Sequence, residues 1–356
     1  MQFSDYDVAL VLSGGAALGA YEGGVYEALH EAGLRPRHVA GASIGAINGT
    51  LIAGNRPDER VARLRRFWDR ATESVGSLPA VEHGRLRRAQ AHLAGLRTKL
   101  LGRPGFLAPQ WLEALAPIRA WRSPGLSDLS PMLENLRGLV DFPGPGHDGA
   151  RLTIQTTDLA TGMPVRFDSG ECQLAPVHVR ASASLIPDFP PTEVDGRLLC
   201  DGGFSENLPL RAVLGALPKR PLLCIAVDLM PAEGEPHWSL DGMIERQQNL
   251  QFASQTRALI EAVTAELTLA AERAGSSAPS VVLAHLVYRG REDAGAQKAY
   301  DFSRRSIGGR WQLGLSDARA MVAALAAAPM PTGGGLTIRR FPEAGLAGPP
   351  IQARAA

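Results

Sequence analysis

The chain has 356 residues, 45% of them apolar and 21% charged, with a net charge of +1. That is the balance of a folded protein with a substantial core, and it carries no basic footprint for nucleic acid. No run of 18 apolar residues could span a bilayer, and "MQFSDYDVALVLSGG" lacks the basic and apolar regions of a secretory leader, so a cytoplasmic location is expected.

"VALVL" (8–12) has the pattern of a buried strand, followed by the glycine turn "SGGAALG" and a helix over 17–32 closed by Gly33. "RHVAG" is a second short strand, and "IGAINGTLIAGN" a helix ending near Gly54 and Asn55. Strand and helix alternating at this spacing predict an α/β fold, a mainly parallel sheet with crossover helices. Residues 57–140 read as a mostly helical insertion broken by "GRPGFLAPQ" and "WRSPGL". "RLTIQTTDL" and "MPVRFDS" resemble strands joined by a Thr-Gly turn; "GRLLCDGG" and "PLLCIAVDLM" are two more. A long helix is expected over 240–273, with Met243, Ile244, Leu250, Phe252, Leu259, Val263 and Leu267 facing inward. "SVVLAHLVYRG" is a late strand, 300–327 a helix, and "GLTIRRF" in the Gly/Pro/Ala-rich tail can make an edge strand. Cys172, Cys200 and Cys224 follow no metal-ligand spacing, and an odd count argues against a disulfide framework.

Three glycine-marked turns each follow a strand. In the first, a dinucleotide site would want a third glycine where Ala16 stands and an acid at the end of the second strand, which instead ends Gly41-Ala42-Ser43. There is no P-loop Gly-Lys-Ser/Thr either. The other use of Gly14, Gly15, Ala16, Ala17 and Gly19 is an oxyanion hole, with backbone N–H groups at a helix start aimed at one point and small side chains letting a carbonyl approach. Gly23 and Gly24, inside that helix, suggest a close crossing with the helix after Ser43. The second turn, Gly41-Ala42-Ser43-Ile44-Gly45, fits a nucleophile elbow or an ordinary tight turn. The third, "CDGGFSENLP", is a common β-turn or an acid held at a strand end with Gly202 and Gly203 giving it room.

Taken in order, "GGAALG", "GASIG" and "DGG" resemble the patatin-like phospholipases, as do "TTDLATGMPVRF" and "ASASLIPDFPPTEVDGRLLCDGG" between them. The resemblance covers residues 7 to about 230, and 285–323 look like the C-terminal extension of one bacterial subgroup. It implies a patatin-like catalytic domain at 7–230 carrying the 57–140 insertion, an extension at 231–327 packed on it and a tail from 328. It also implies a Ser-Asp dyad of Ser43 and Asp201, with the oxyanion held near Gly15, Ala16 and Ala17 and no metal or organic cofactor. The sequence departs from the family at Ala16, usually Gly, and Leu18, often Arg or Lys. An aspartate's ordinary pKa near ~4 is low for a general base, so burial beside apolar groups is expected to raise Asp201. None of the eight histidines stands in a recognisable triad setting; Asn207 is expected to fix the turn after Asp201, and Cys200 to face the core.

The implied substrate is a lipid or other carboxylic ester. An acyltransferase, an intracellular polyester depolymerase or a non-catalytic lipid-binding scaffold on the same fold are the alternatives. Residues 60–103 hold eleven Arg or Lys against Asp69, Glu73 and Glu82, so this block is +8 and the rest of the chain −7. With Phe106 and Trp111 beyond it, this block is expected to make peripheral contact with an anionic membrane surface, through Arg85, Arg87, Arg88 and Lys99 among others.

Overall fold

A computed structural model describes residues 3, 5–73, 84–110, 125–234, 238–275, 278–290, 295–331 and 334–342. Trp111, Glu82 and the end of the tail lie outside the described residues. The main sheet has nine strands: β1 (Asp7–Leu12), β2 (His38–Ala42), β5 (Arg151–Asp158), β6 (Pro164–Asp168), β7 (Thr192–Val194), β8 (Arg197–Asp201), β9 (Leu222–Asp228), β10 (Ser280–Val287) and β11 (Gly335–Phe341). Their order is β11-β10-β9-β1-β2-β5-β8-β7, with β6 also on β5. From β11 to β5 every pairing is parallel; β6, β7 and β8 are antiparallel. A two-stranded piece, β3 (Ala108–Pro109) with β4 (Ser127–Asp128), lies in the insertion.

The central strands are apolar on both sides because both faces are covered. Leu10 and Leu12 of β1, with Ile225 and Val227 of β9, enter the larger core beneath α1 (Ala20–Glu31), α2 (Ile44–Ala53), α3 (Arg60–Thr72) and α10 (Arg304–Ala327). Ala9, Val11, Cys224 and Ala226 point the other way, toward Ile260, Val263 and Leu267 of α9 (Leu240–Ala274). This is the expected three-layer α/β fold, and both strands after residue 231 join the same sheet. The remaining helices are α4 (Gly84–Leu101), α5 (Ser130–Arg137), α6 (Pro176–Ser182), α7 (Gly203–Glu206) and α8 (Arg211–Leu214). No described helix is long and apolar enough to cross a membrane.

Three expectations are corrected. Gly23 and Gly24 do not serve a crossing with the serine-bearing helix. They lie against α10, where a Cβ on Gly24 would sit 2.0 Å from the Trp311 carbonyl oxygen and one on Gly314 2.1 Å from that of Tyr21. On α9 the buried face runs through Asn249, Ala253, Thr256, Ile260, Val263 and Leu267, while Met243, Ile244 and Leu250 are exposed. Only the second half of α9 packs on the sheet, so the apolar residues of its first turns have no core to enter. In the basic block, Arg87 is buried and Lys99 half-buried. Arg65 pairs with Glu27 at 2.6 Å, and Arg60 is buried against the Asn55 carbonyl at 3.0 Å.

Candidate active site

Ser43 stands between β2 and α2 with φ 54° and ψ −121°, a region that costs a residue with a side chain about 1–3 kcal/mol. The reversal takes a single residue because the strand ends at Ala42 and the helix begins at Ile44. A Cβ on Gly41 would lie 2.3 Å from the Gly45 carbonyl oxygen, and one on Gly45 2.3 Å from that of Leu12. Nothing larger than hydrogen fits at either position. Ser43 itself is half-buried, so its side chain can be approached from solvent.

Strand register brings Asp201 to it. β6 occupies one edge of β5 over Thr153–Thr157, so β2 and β8 share the other. On that edge Ala42 pairs with Gln155 and Asp201 with Thr156, the next residue. β2 runs parallel to β5 and β8 antiparallel, so the two strands meet head-on and their ends abut. The Asp201 carboxyl is buried: Oδ1 accepts the Gly203 amide at 2.7 Å, and Oδ2 has no hydrogen bond among the described residues. Loss of hydration pushes its pKa from 3.8 up to about 6; the Ser43 side chain and the Gly203 amide act the other way.

The first glycine turn closes the site. A Cβ on Gly14 would lie 3.2 Å from the Ser43 Cβ and 2.5 Å from the Asn207 Oδ1. The Gly14 amide donates to the Asn207 carbonyl at 3.1 Å, and Asn207 Nδ2 returns a bond to the Gly14 carbonyl at 3.3 Å. Asn207 therefore ties the aspartate turn to the glycine turn. Ala16 has φ 48° and opens a short 3-10 turn, Ala16–Gly19, ahead of α1, which starts later than the sequence suggests. The amides of Gly15, Ala16 and Ala17 donate no hydrogen bond among the described residues, whereas Leu18 closes onto the Gly15 carbonyl at 3.1 Å. Gly15 and Ala16 are half-exposed and Leu18 is buried in the larger core. Gly19 abuts the Ile44 side chain, and a Cβ on Gly202 would lie 2.3 Å from the Gln155 carbonyl oxygen. All three turns thus converge.

Two residues escaped the sequence reading. Ser182 accepts the Ser43 amide at 2.9 Å and donates to the Gln155 carbonyl at 2.6 Å. It lies in "ASASLIPDFPP", a stretch read as family-like without a role. Tyr300, in "YDFSRRSIGGRW", donates to Asp188; burial raises its phenol well above the ordinary value, Asp188 adds to this, and Asp201 is close enough to contribute. The described histidines make no hydrogen bond or ion pair with Ser43 or Asp201; His38 meets Thr153, His92 Asp241, His178 the Ala175 amide and His285 Asp228. Cys200 is buried as expected, and no cluster of metal-ligating side chains occurs among the described residues.

At one end of a mainly parallel sheet, a strained serine elbow, a glycine loop and a strand-end aspartate thus come together. The chain belongs to the patatin-like phospholipase family: that family's model matches residues 10–214, and a second, described as patatin phospholipase, matches 243–331. It is 28% identical over 262 residues to an uncharacterized NTE family protein of Mycobacterium tuberculosis, covering 74% of this chain and 60% of that protein. It is 43% identical over 205 residues to human patatin-like phospholipase domain-containing protein 6, covering 57% of this chain and 12% of that one. The chain thus spans well under the full length of these relatives. Among solved structures it is similar to VipD from Legionella pneumophila (TM-score 0.37, 16% identity, 88% of this chain and 67% of that one). It is also similar to human GIVD cytosolic phospholipase A2 (TM-score 0.40, 13% identity, 91% and 60%).

Proposed function

We propose that the chain is a serine acyl hydrolase that cleaves carboxylic esters of lipids with Ser43 as nucleophile and Asp201 as its base. The head-on meeting of β2 and β8 carries this reading, because it sets a strained, approachable serine against a buried carboxyl with one oxygen unbonded. A serine hydroxyl is a weak nucleophile until a neighbour takes its proton. A carboxylate whose pKa lies at about 6 is mostly ionised at neutral pH yet more basic than an exposed one. As Ser43 Oγ bonds to the ester carbon, its proton passes to Asp201, and the carbonyl oxygen gains negative charge facing the unbonded amides of Gly15, Ala16 and Ala17. Collapse breaks the ester C–O bond, the leaving alkoxide takes the proton, and an acyl-serine remains. Water attacks it, Asp201 accepting a proton and returning it to Ser43, and the carboxylic acid leaves. Every step is made by groups of residues 7–230, which we take as the catalytic unit.

The test compares hydrolysis of a soluble p-nitrophenyl ester and a phospholipid by the wild-type, Ser43→Ala and Asp201→Asn proteins, with labelling by an alkyl fluorophosphonate. Wild-type turnover and labelling, both lost in Ser43→Ala with the melting curve retained, are expected. Wild-type turnover in Ser43→Ala would overturn the assignment.

A further inference from the structure

Helix α4 is assembled inside out. Its buried side carries Arg87, Ala91, Gly95 and Thr98, and its outer side the exposed Leu86, Leu93, Leu96 and Leu100. Leu86 is 71% exposed and Leu100 51%. An ordinary surface helix does the reverse, turning its apolar stripe to the core. The inversion is anchored rather than accidental. The Arg87 guanidinium donates to the Ser306 hydroxyl and lies 3.9 Å from the Asp301 carboxylate. Gly95 lets the helix approach so close that a Cβ would meet the Gln297 carbonyl oxygen at 2.6 Å, and the Lys99 ammonium lies 4.4 Å over the Tyr300 ring.

The apolar face continues beyond the helix. His92 lies 3.1 Å from Asp241, which joins α4 to the start of α9, where Trp238 is 90% and Leu240 79% exposed and Met243 is also exposed. This lip stands one layer from the candidate active site. α4 packs on the turn Lys298–Tyr300, and Ala16–Gly19 packs on that turn too.

Charge selects the occupant. The spacing Leu86-Ala89-Leu93-Leu96-Leu100 would also suit a paired helix, but residues 84–101 hold Arg85, Arg87, Arg88, Arg97 and Lys99 and no acid. A second copy seated on the leucines would bring one basic flank against another, which opposes pairing. A leucine stripe flanked by arginines, with an exposed tryptophan beside it, has the chemistry of a helix lying in the headgroup region of an anionic bilayer. We propose that α4, with Trp238 and Leu240, docks the protein on an anionic lipid surface and so presents lipid esters to Ser43; the second clause rests on the hydrolase reading, the first does not. Arg87 and Lys99 are engaged inward, so the part of the basic block on α4 that faces the lipid is its exposed leucines and Arg88.

The experiment measures sedimentation of the full chain with phosphatidylcholine vesicles and with phosphatidylcholine/phosphatidylglycerol vesicles. Wild-type protein is expected to bind the anionic vesicles and lose them as added salt shortens the screening length to about 3 Å. Leu93→Gln/Leu100→Gln should weaken that binding at least about tenfold, with an unchanged melting curve and unchanged turnover of a soluble ester. Absence of wild-type binding, or equal binding by the double variant, would overturn the proposal. So would a two-copy mass for wild type that the double variant halves, which assigns the seam to self-association. Ser43→Ala protein should bind like wild type. Vesicle binding by a protein without esterase activity would support the docking face while sinking the hydrolase reading.

Discussion

The amide of Ser43 donates to the hydroxyl of Ser182 at 2.9 Å, and the same hydroxyl donates to the Gln155 carbonyl at 2.6 Å. One side chain from α6 thereby clamps the elbow to the β5 residue that pairs with Ala42. Ser182→Ala leaves an amide and a carbonyl without this partner, each worth about 1–3 kcal/mol when buried. The expected result is a lower melting temperature and a kcat reduced by roughly tenfold or more on a soluble ester, with KM held. Ser182→Thr, which keeps the hydroxyl, should recover part of the kcat. Steady-state kinetics of both variants decide between positioning and a purely structural role.

Ser43→Ala and Asp201→Asn should each remove nearly all turnover, and the double variant should be scarcely worse than either single one. In the proposed mechanism the two side chains act in one proton transfer, so losing either disables the other. Single-turnover rates with a soluble ester measure this. A double variant slower by the product of the single losses would mean that they act independently.

The raised pKa of Asp201 has opposite consequences for activity and stability. In the proposed mechanism ionised Asp201 is the base, so kcat/KM should fall as pH drops through about 6. For stability, the folded value lies above the unfolded one, so the folded state holds the proton more tightly. Stability from this group is full below pH 3.8 and is lost as pH rises through about 6. Asp201→Asn should therefore melt higher than wild type at pH 8, by up to about 3 kcal/mol. The difference should vanish near pH 4. Thermal melts of both proteins across that range test the sign.

The α1–α10 crossing admits no side chain at Gly24 or Gly314, while Gly308, on the same α10, has open space around it. Alanine at Gly308 should stabilise by up to about 1 kcal/mol through helix propensity alone. Alanine at Gly314 gains the same propensity but collides with the Tyr21 backbone, which has no flexible end to move aside. Its melting temperature should fall below wild type. Equal stabilisation by both would mean that the helices separate freely.

The chain sequence by itself determined the elements and the local shape of each turn. "VALVL" and "PLLCIAVDLM" lack polar alternation because strands covered on both faces have none, and Gly41, Gly45, Gly202 and Gly203 mark backbone positions where a Cβ would collide. Motif order was enough to indicate the family, and with it the proposed pair Ser43 and Asp201. What the tertiary structure decided is everything that depends on which surfaces meet. The pairing of Ala42 and Asp201 with consecutive residues of β5 joins segments 159 residues apart, and no local pattern encodes a register. Gly23 and Gly24 announce a close approach, but a missing side chain does not name its neighbour, so the partner proved to be Trp311. Helix periodicity tells which residues share a face and not which face is covered. For this reason α9 leaves Met243 and Leu250 in solvent, and α4 turns Arg87 inward and its leucines out.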